Sequence, residues 1–109
     1  MKLIVAIISK DDERNVLAEL HRHDFGATKL PTTGSFLKGK NTTLIIGVEK
    51  DQVEEVVALI KEKSRTREKV VVNATEIFGM STGIDASSME AEVGGAVMFV
   101  LDVESFIKV

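Results

Sequence analysis

Residues 42–60, TTLIIGVEKDQVEEVVALI, repeat the pattern of residues 2–20, KLIVAIISKDDERNVLAEL. In each stretch, a short run rich in Ile, Leu and Val comes before acidic residues, and apolar residues at helical spacing follow. The apolar run predicts a buried strand, and the spacing after it predicts an amphipathic helix. The sequence therefore predicts two strand-helix units of similar build.

The other apolar runs add strands around these two units. We expect the second strand at about 25–30, a fragment opening at 70–72 and a last long strand at 93–103. The resulting order is strand, helix, strand, strand, helix, strand. This order predicts an α+β, ferredoxin-like βαββαβ sandwich, in which two helices cover one face of an antiparallel sheet. At 109 residues, we expect residues 1–109 to form a single domain.

Polar residues mark where both helices are expected to begin. A Ser or Asp between Ser9 and Asp12 suits the free amides of the first helix. Asp51 and Glu54 have the spacing of a capping box, which predicts a second helix that runs to about Lys63.

The first and last strands are apolar almost without interruption. A sheet with one face in water should alternate polar and apolar residues. Because a chain of this size has no third layer, we expect a further copy to cover the second face in a closed symmetric oligomer.

Composition excludes several classes of function. A formal net charge of −3 argues against a nucleic-acid partner, since binding to phosphates requires a basic field. With no Cys, the chain has no disulfide framework and no thiolate metal site. No apolar run reaches membrane-spanning length, and the first one is too short for a signal peptide. We therefore expect a cytoplasmic protein without a membrane partner.

Two long connectors, at about 32–41 and 77–91, are the candidate functional loops. Residues 34–41, GSFLKGKN, approach the phosphate-loop pattern but end in Asn and lead into a strand rather than a helix. We reject a nucleotidase on that ground. Two interpretations stay open: a loop whose Thr, Gly and Lys residues bind a ligand, and a plain hairpin connection. Since no nucleophile or poised base accompanies the scattered carboxylates, we expect no enzyme activity and assign no catalytic or metal-binding residues.

Several short motifs together resemble one family, the P-II-like cyclic di-AMP receptor proteins of Gram-positive bacteria. The resemblance covers most of the chain. Its motifs are Ala27-Thr28-Lys29-Leu30, Thr32-Thr33-Gly34, Phe36-Leu37, Asn41-Thr42-Thr43 with Gly47, and Glu92-Val93-Gly94-Gly95-Ala96 with Phe99-Val100. It implies a homotrimer that binds cyclic di-AMP in clefts between subunits and requires no cofactor. It also implies that loop rearrangement reports the ligand to a protein partner, which the sequence does not name.

The resemblance also implies roles for individual residues. Thr28 would meet a phosphate, and Phe36 and Leu37 would pack on adenine. Asn41 would hydrogen-bond the base, and Gly47 would allow the backbone to approach the ligand closely.

Phe99 is implied to line the same pocket, whereas two other positions depart from the family pattern. Gly26 stands where an Arg is common, and Asp24 stands where an Asn is common. Both changes act against an anionic ligand. The alternative hypothesis is therefore a P-II-like binding module that has lost cyclic di-AMP affinity and responds to another nucleotide or to a protein.

Overall fold

The chain was analysed as a computed structural model, which describes residues 1–34, 37, 39–65, 67–72 and 88–109. Six strands and two helices lie in these ranges. In chain order they are β1 (Lys2–Ser9), α1 (Glu13–Arg22), β2 (Thr28–Pro31), β3 (Asn41–Val48), α2 (Val53–Lys63), β4 (Arg67–Val72), β5 (Ser88–Val93) and β6 (Ala96–Asp102).

Four strands form the main sheet in the order β2-β3-β1-β6, with every neighbouring pair antiparallel. β4 and β5 form a separate antiparallel pair. Four antiparallel strands with two helices confirm the predicted ferredoxin-like α+β fold.

The hydrophobic core lies between one face of the sheet and both helices. Alternate residues of β1 and β3 point into it and are buried there, as the period of two in a strand requires. The helices contribute side chains at helical spacing. The largest fully buried apolar side chains of the core are Ile4, Ile8, Leu20, Leu44, Ile46, Ile60, Val16 and Val56.

A one-turn 3-10 helix precedes each α-helix and shifts the predicted caps. Ser9 caps the first of these turns by accepting a hydrogen bond from the Asp11 amide at 3.3 Å. The predicted capping box at Asp51 and Glu54 is wrong, because the reciprocal pair is Glu49 and Gln52. The tighter turn starts two residues earlier than an α-helix alone would.

The strands after α2 differ most from expectation. Residues 88–91 belong to β5, although the sequence analysis placed them in a connector, and the rest of that connector lies outside the described residues. The predicted last strand is divided at Gly94 and Gly95, whose φ values are 86° and 83°. Two successive left-handed residues suit glycine alone, so the chain turns there from β5 into β6.

The second face of the main sheet is apolar, and here we call it the outer face. The register places eight apolar side chains on this face, and none of them is in the buried core. Phe99 and Leu101 are each 45% exposed. The outer-face residues are Leu3, Val5, Ile7, Leu30, Ile45, Val97, Phe99 and Leu101.

Candidate functional site

Two cavities meet where the 32–41 connector joins the sheet. The helix-side cavity, of about 630 Å³, lies between the start of α1 and the ends of β2 and β3. The outer cavity, of about 210 Å³, lies beside Ile7 and Thr43 on the outer face. The two cavities share a wall made of Thr32, Thr33, Gly34 and Asn41.

Asn41 is the polar side chain at the centre of this wall. It is the first residue of β3 and is only 9% exposed. Its Nδ2 donates long hydrogen bonds to the carbonyl oxygens of Gly34 and Leu37, at 3.4 and 3.5 Å. Its buried Oδ1 has no hydrogen-bond partner within the described part of the chain. A buried acceptor without a partner is costly, so this oxygen is suited to receive an N–H group from a ligand.

Two contacts hold the ends of the connector against the sheet. The hydroxyl groups of Thr32 and Thr43 lie 2.8 Å apart and share a hydrogen bond. The Lys10 amide donates to the Lys40 carbonyl oxygen at 2.9 Å. Asn41 follows Lys40 directly, so the hydrogen bond to the Lys40 carbonyl oxygen also fixes the backbone at Asn41.

Glu13 is the acidic group of the helix-side cavity. Its Oε1 accepts a hydrogen bond from Thr42 Oγ1 at 2.8 Å, and its Oε2 lies 3.6 Å from Lys29 Nζ. The Thr42 hydrogen bond and the positive charges of Lys29 and Lys10 outweigh partial burial and lower the pKa of this carboxyl group. Glu13 is therefore held in its ionised form beside three lysines.

Three of the predicted ligand residues lie on the outer face. Thr28 pairs with Ile45, Ile45 with Val5, and Val5 with Phe99, so the four residues form one row across the sheet. Thr28 and Phe99 stand at opposite edges of that row. Three strand spacings separate them by about 14 Å.

Gly47 lies on the same face, one row away from Thr28. It pairs with Leu3, and a Cβ atom added to it would meet no atom within 4 Å. Within the chain, therefore, the structure brings Leu37 and Asn41 together but leaves Phe99 far from Thr28. Phe36 lies outside the described residues.

Sequence analysis missed Glu13 and Thr42, which hold β3 against α1. Their contact joins residues 29 positions apart. Thr42 was quoted only within Asn41-Thr42-Thr43 and was given no role there. Glu13 belongs to no motif, and a Glu in the first turn of a helix has an ordinary explanation in the helix dipole. Only the packing of α1 on the sheet reveals the pair.

Neither a metal centre nor a membrane-spanning helix is found within the described residues. Among them, no group of three His, Cys, Asp or Glu residues could hold a metal ion. Within the same ranges, no helix combines the length and apolar character needed to cross a bilayer.

Comparison with known proteins identifies the family. A sequence model described as cyclic-di-AMP receptor matches residues 1–109. The chain belongs to the cyclic-di-AMP receptor family. The predicted family resemblance is thus confirmed over the whole chain.

Two individual relatives extend this result. The receptor-family chain has 34% sequence identity and a TM-score of 0.76 to the crystal structure of a functionally unknown protein from Pediococcus pentosaceus ATCC 25745. That match covers 99% of this chain and 96% of the other. The chain is also 29% identical over 76 residues to an uncharacterized protein in the cccA 5′ region of Bacillus sp. strain PS3. The matched residues are 70% of this chain but only 51% of that protein, so the chain spans about half of that relative.

Proposed function

We propose that this member of the cyclic-di-AMP receptor family binds cyclic di-AMP between the subunits of a homotrimer and relays binding to a protein partner. The relay is a rearrangement of the 32–41 and 77–91 loops, without catalysis, in the cytoplasm. The observation that carries the proposal is the whole-chain match to a receptor family. The geometry around Asn41 and the outer face supports it.

The proposed contacts place the base beside Asn41. Its unpartnered Oδ1 accepts from the exocyclic amine of adenine, while Leu37 and Phe36 pack on the ring. Thr28 donates to a phosphate oxygen. Gly47 gives the ligand the space that a Cβ atom would fill.

The separation of Thr28 from Phe99 supports a site between subunits. At about 14 Å apart on one sheet, Thr28 and Phe99 of the same chain stand too far apart to line one compact pocket. A cyclic oligomer brings the β2 edge of one copy to the β6 region of the next. The same assembly covers the apolar outer face, which otherwise remains in water.

Titration calorimetry tests this function. It is preferred to fluorescence because the chain has no Trp or Tyr that could report binding. We expect heat with cyclic di-AMP, and much weaker binding of cyclic di-GMP. Light scattering on the same sample should give a mass three times that of the chain. Absence of heat with cyclic di-AMP at high ligand concentration contradicts ligand binding, and a monomer contradicts the site between subunits.

The second candidate function is a module that has lost this ligand and responds to another nucleotide or to a protein alone. Gly26 and Asp24 favour it. Gly26 lacks the cationic side chain of the Arg that is common at this position in the family, and Asp24 adds a carboxylate beside the proposed site. Asp24 is exposed and has a φ of 63°. Gly26 is exposed, and a Cβ atom added to it meets nothing within 4 Å, so a side chain can begin there without a clash at its first carbon.

Gly26→Arg separates the two candidates. If the chain is a weakened receptor, the added guanidinium should strengthen cyclic di-AMP binding roughly tenfold or more, as expected for one charge-assisted hydrogen bond. Gly26→Gln is the matched control, because it adds a side chain without charge. An affinity that Gly26→Arg leaves unchanged favours a module that has lost the ligand.

A further inference from the structure

The helix-side cavity contains a concentration of positive charge that the outer-face site does not use. Its volume of about 630 Å³ lies within the range of small-molecule sites. Three lysines and one glutamate line it, a net formal charge of +2 in a chain whose net charge is −3. The lining also includes hydroxyl groups and open backbone from Thr32, Thr33, Gly34 and Gly39, and Asn41, which stands in the wall shared with the outer cavity.

The lysines reach the cavity from three separate segments. Lys10 and Lys40 are neighbours because the Lys10 amide donates to the Lys40 carbonyl oxygen at 2.9 Å. Lys29 stands on β2, and its ammonium group lies 3.6 Å from Glu13 Oε2. All three residues are exposed, so a solute can reach them.

Glu13 shows what kind of group this cavity stabilises. The Thr42 hydroxyl, Lys29 and Lys10 lower the pKa of its carboxyl group although the side chain is 82% buried, the remaining 18% being exposed. A donor and two cations thus already stabilise a negative charge at the cavity wall. The cations exceed the one carboxylate in number, which leaves capacity for a further anion.

We propose that the helix-side cavity is a second binding site, which takes a small molecule carrying a diphosphate or triphosphate group. Several ammonium groups around one cavity suit an extended polyanion, and Thr hydroxyls donate to phosphate oxygens. Free polyphosphate and a nucleoside polyphosphate share this chemistry.

The lysines of this site lie on the opposite side of the shared wall from the site proposed for cyclic di-AMP. Lys29 pairs with Leu44, whose side chain is buried in the core between sheet and helices. Its neighbour Thr28 points the opposite way, to the outer face. The inference therefore goes beyond the proposed function and does not depend on it.

Calorimetry with sodium tripolyphosphate at low ionic strength tests the site. We expect one tripolyphosphate per chain, with an affinity that falls as salt is added. The double variant Lys10→Ala/Lys40→Ala should bind roughly tenfold more weakly, since it removes two exposed charge contacts. Lys50→Ala/Lys61→Ala is the matched control, because it removes two exposed lysines elsewhere and should leave the affinity unchanged.

Glu13→Gln gives a second test. If Glu13 had only a structural role, this substitution would not strengthen anion binding. Gln retains an acceptor for Thr42 but no longer competes with the anion for Lys29. Tripolyphosphate should therefore bind several-fold more tightly to this variant. Weaker or unchanged tripolyphosphate binding by Glu13→Gln overturns the proposal, as does an equal loss of affinity in the two lysine double variants.

Two further titrations show whether the nucleoside contributes to binding, and whether the site is independent of the one proposed for cyclic di-AMP. ATP that binds more tightly than tripolyphosphate points to a nucleoside polyphosphate, and equal affinity points to the phosphate chain alone. Saturating cyclic di-AMP should leave a tripolyphosphate titration in place; strict competition places both ligands in one site and overturns the proposal. Binding of tripolyphosphate without any binding of cyclic di-AMP contradicts the proposed function alone, and no heat with tripolyphosphate or ATP contradicts this inference alone.

Discussion

Thr42 Oγ1 donates a hydrogen bond of 2.8 Å to Glu13 Oε1 and so joins the second residue of β3 to the first residue of α1. Asn41 precedes Thr42, and its Oδ1, which has no hydrogen-bond partner among the described residues, is the most specific polar feature of the proposed ligand site. The contact therefore fixes the backbone from which that side chain projects. Four predictions follow from this contact and from the faces of the sheet.

Glu13→Gln should reduce stability at neutral pH and flatten its dependence on acid. The folded chain holds the pKa of Glu13 below its ordinary value of 4.5, so the folded state binds fewer protons than the unfolded state near that pH. The stabilisation is present above about pH 4.5 and is lost as pH falls through the folded pKa. Thermal unfolding followed by circular dichroism between pH 3 and 7 measures this.

The difference between wild type and Glu13→Gln should thus shrink as the solution is acidified. Glu62→Gln removes a carboxylate from the exposed surface of α2 and is the control for net charge. A difference that stays constant over the whole pH range contradicts the assigned role of Glu13.

The hydroxyl pair of Thr32 and Thr43 should contribute measurably to stability. Thr43 is 8% exposed, and its hydroxyl meets that of Thr32 at 2.8 Å. Replacing Thr43 by Val keeps its shape and should cost about 0.5–1.5 kcal/mol. A double-mutant cycle with Thr32→Val isolates the pair, and additive losses in denaturant unfolding show that the hydroxyls are not coupled.

Gly47→Ala should separate folding from ligand binding. The added methyl group meets no atom within 4 Å in the chain, and the change restricts the unfolded state, so stability should rise by about 0.4–1 kcal/mol or stay the same. On the outer face, the same methyl group would stand where the ligand approaches and weaken cyclic di-AMP binding about tenfold, or about 1.4 kcal/mol. Calorimetry and light scattering of the variant measure both effects, and full affinity in an intact trimer removes Gly47 from the site.

Leu101→Asp should dissociate the proposed trimer. Leu101 lies on the outer face and is 45% exposed in the single chain, so a copy packed on that face would bury the new carboxylate. Val100→Asp is the matched control: the residue is 48% exposed on the same strand but is paired with Ile4, whose side chain faces the core. Light scattering should give a monomer for the first variant and an unchanged mass for the second, whereas equal masses contradict the outer face as the interface.

The local sequence pattern predicted most of the architecture, because the apolar residues of these strands and helices recur at the spacing typical of each element. The repeat in residues 2–20 and 42–60 became β1 with α1 and β3 with α2. The strand ends after α2 were less predictable. The sequence from Val93 to Leu101 reads as one apolar run, and its division between the end of β5 and β6 depends on Gly94 and Gly95 turning the chain between two sheets.

The site was predictable only where one segment supplies it. Leu37 and Asn41 are neighbours in sequence and in space, as their hydrogen bond shows. Thr28 and Phe99 were both implied by the family motifs, but a motif gives no distance between strands. Their positions at opposite edges follow from the strand order β2-β3-β1-β6.

The sequence by itself determined the fold class and the family, because period, caps and motifs are local and survive without tertiary contacts. The tertiary structure decided which side chains meet. The burial of α1 against the start of β3 brought Glu13 to Thr42 and gathered Lys10, Lys29 and Lys40 around one cavity. The physical reason is that helix and sheet packing joins residues far apart in the chain, and no local pattern specifies the partners.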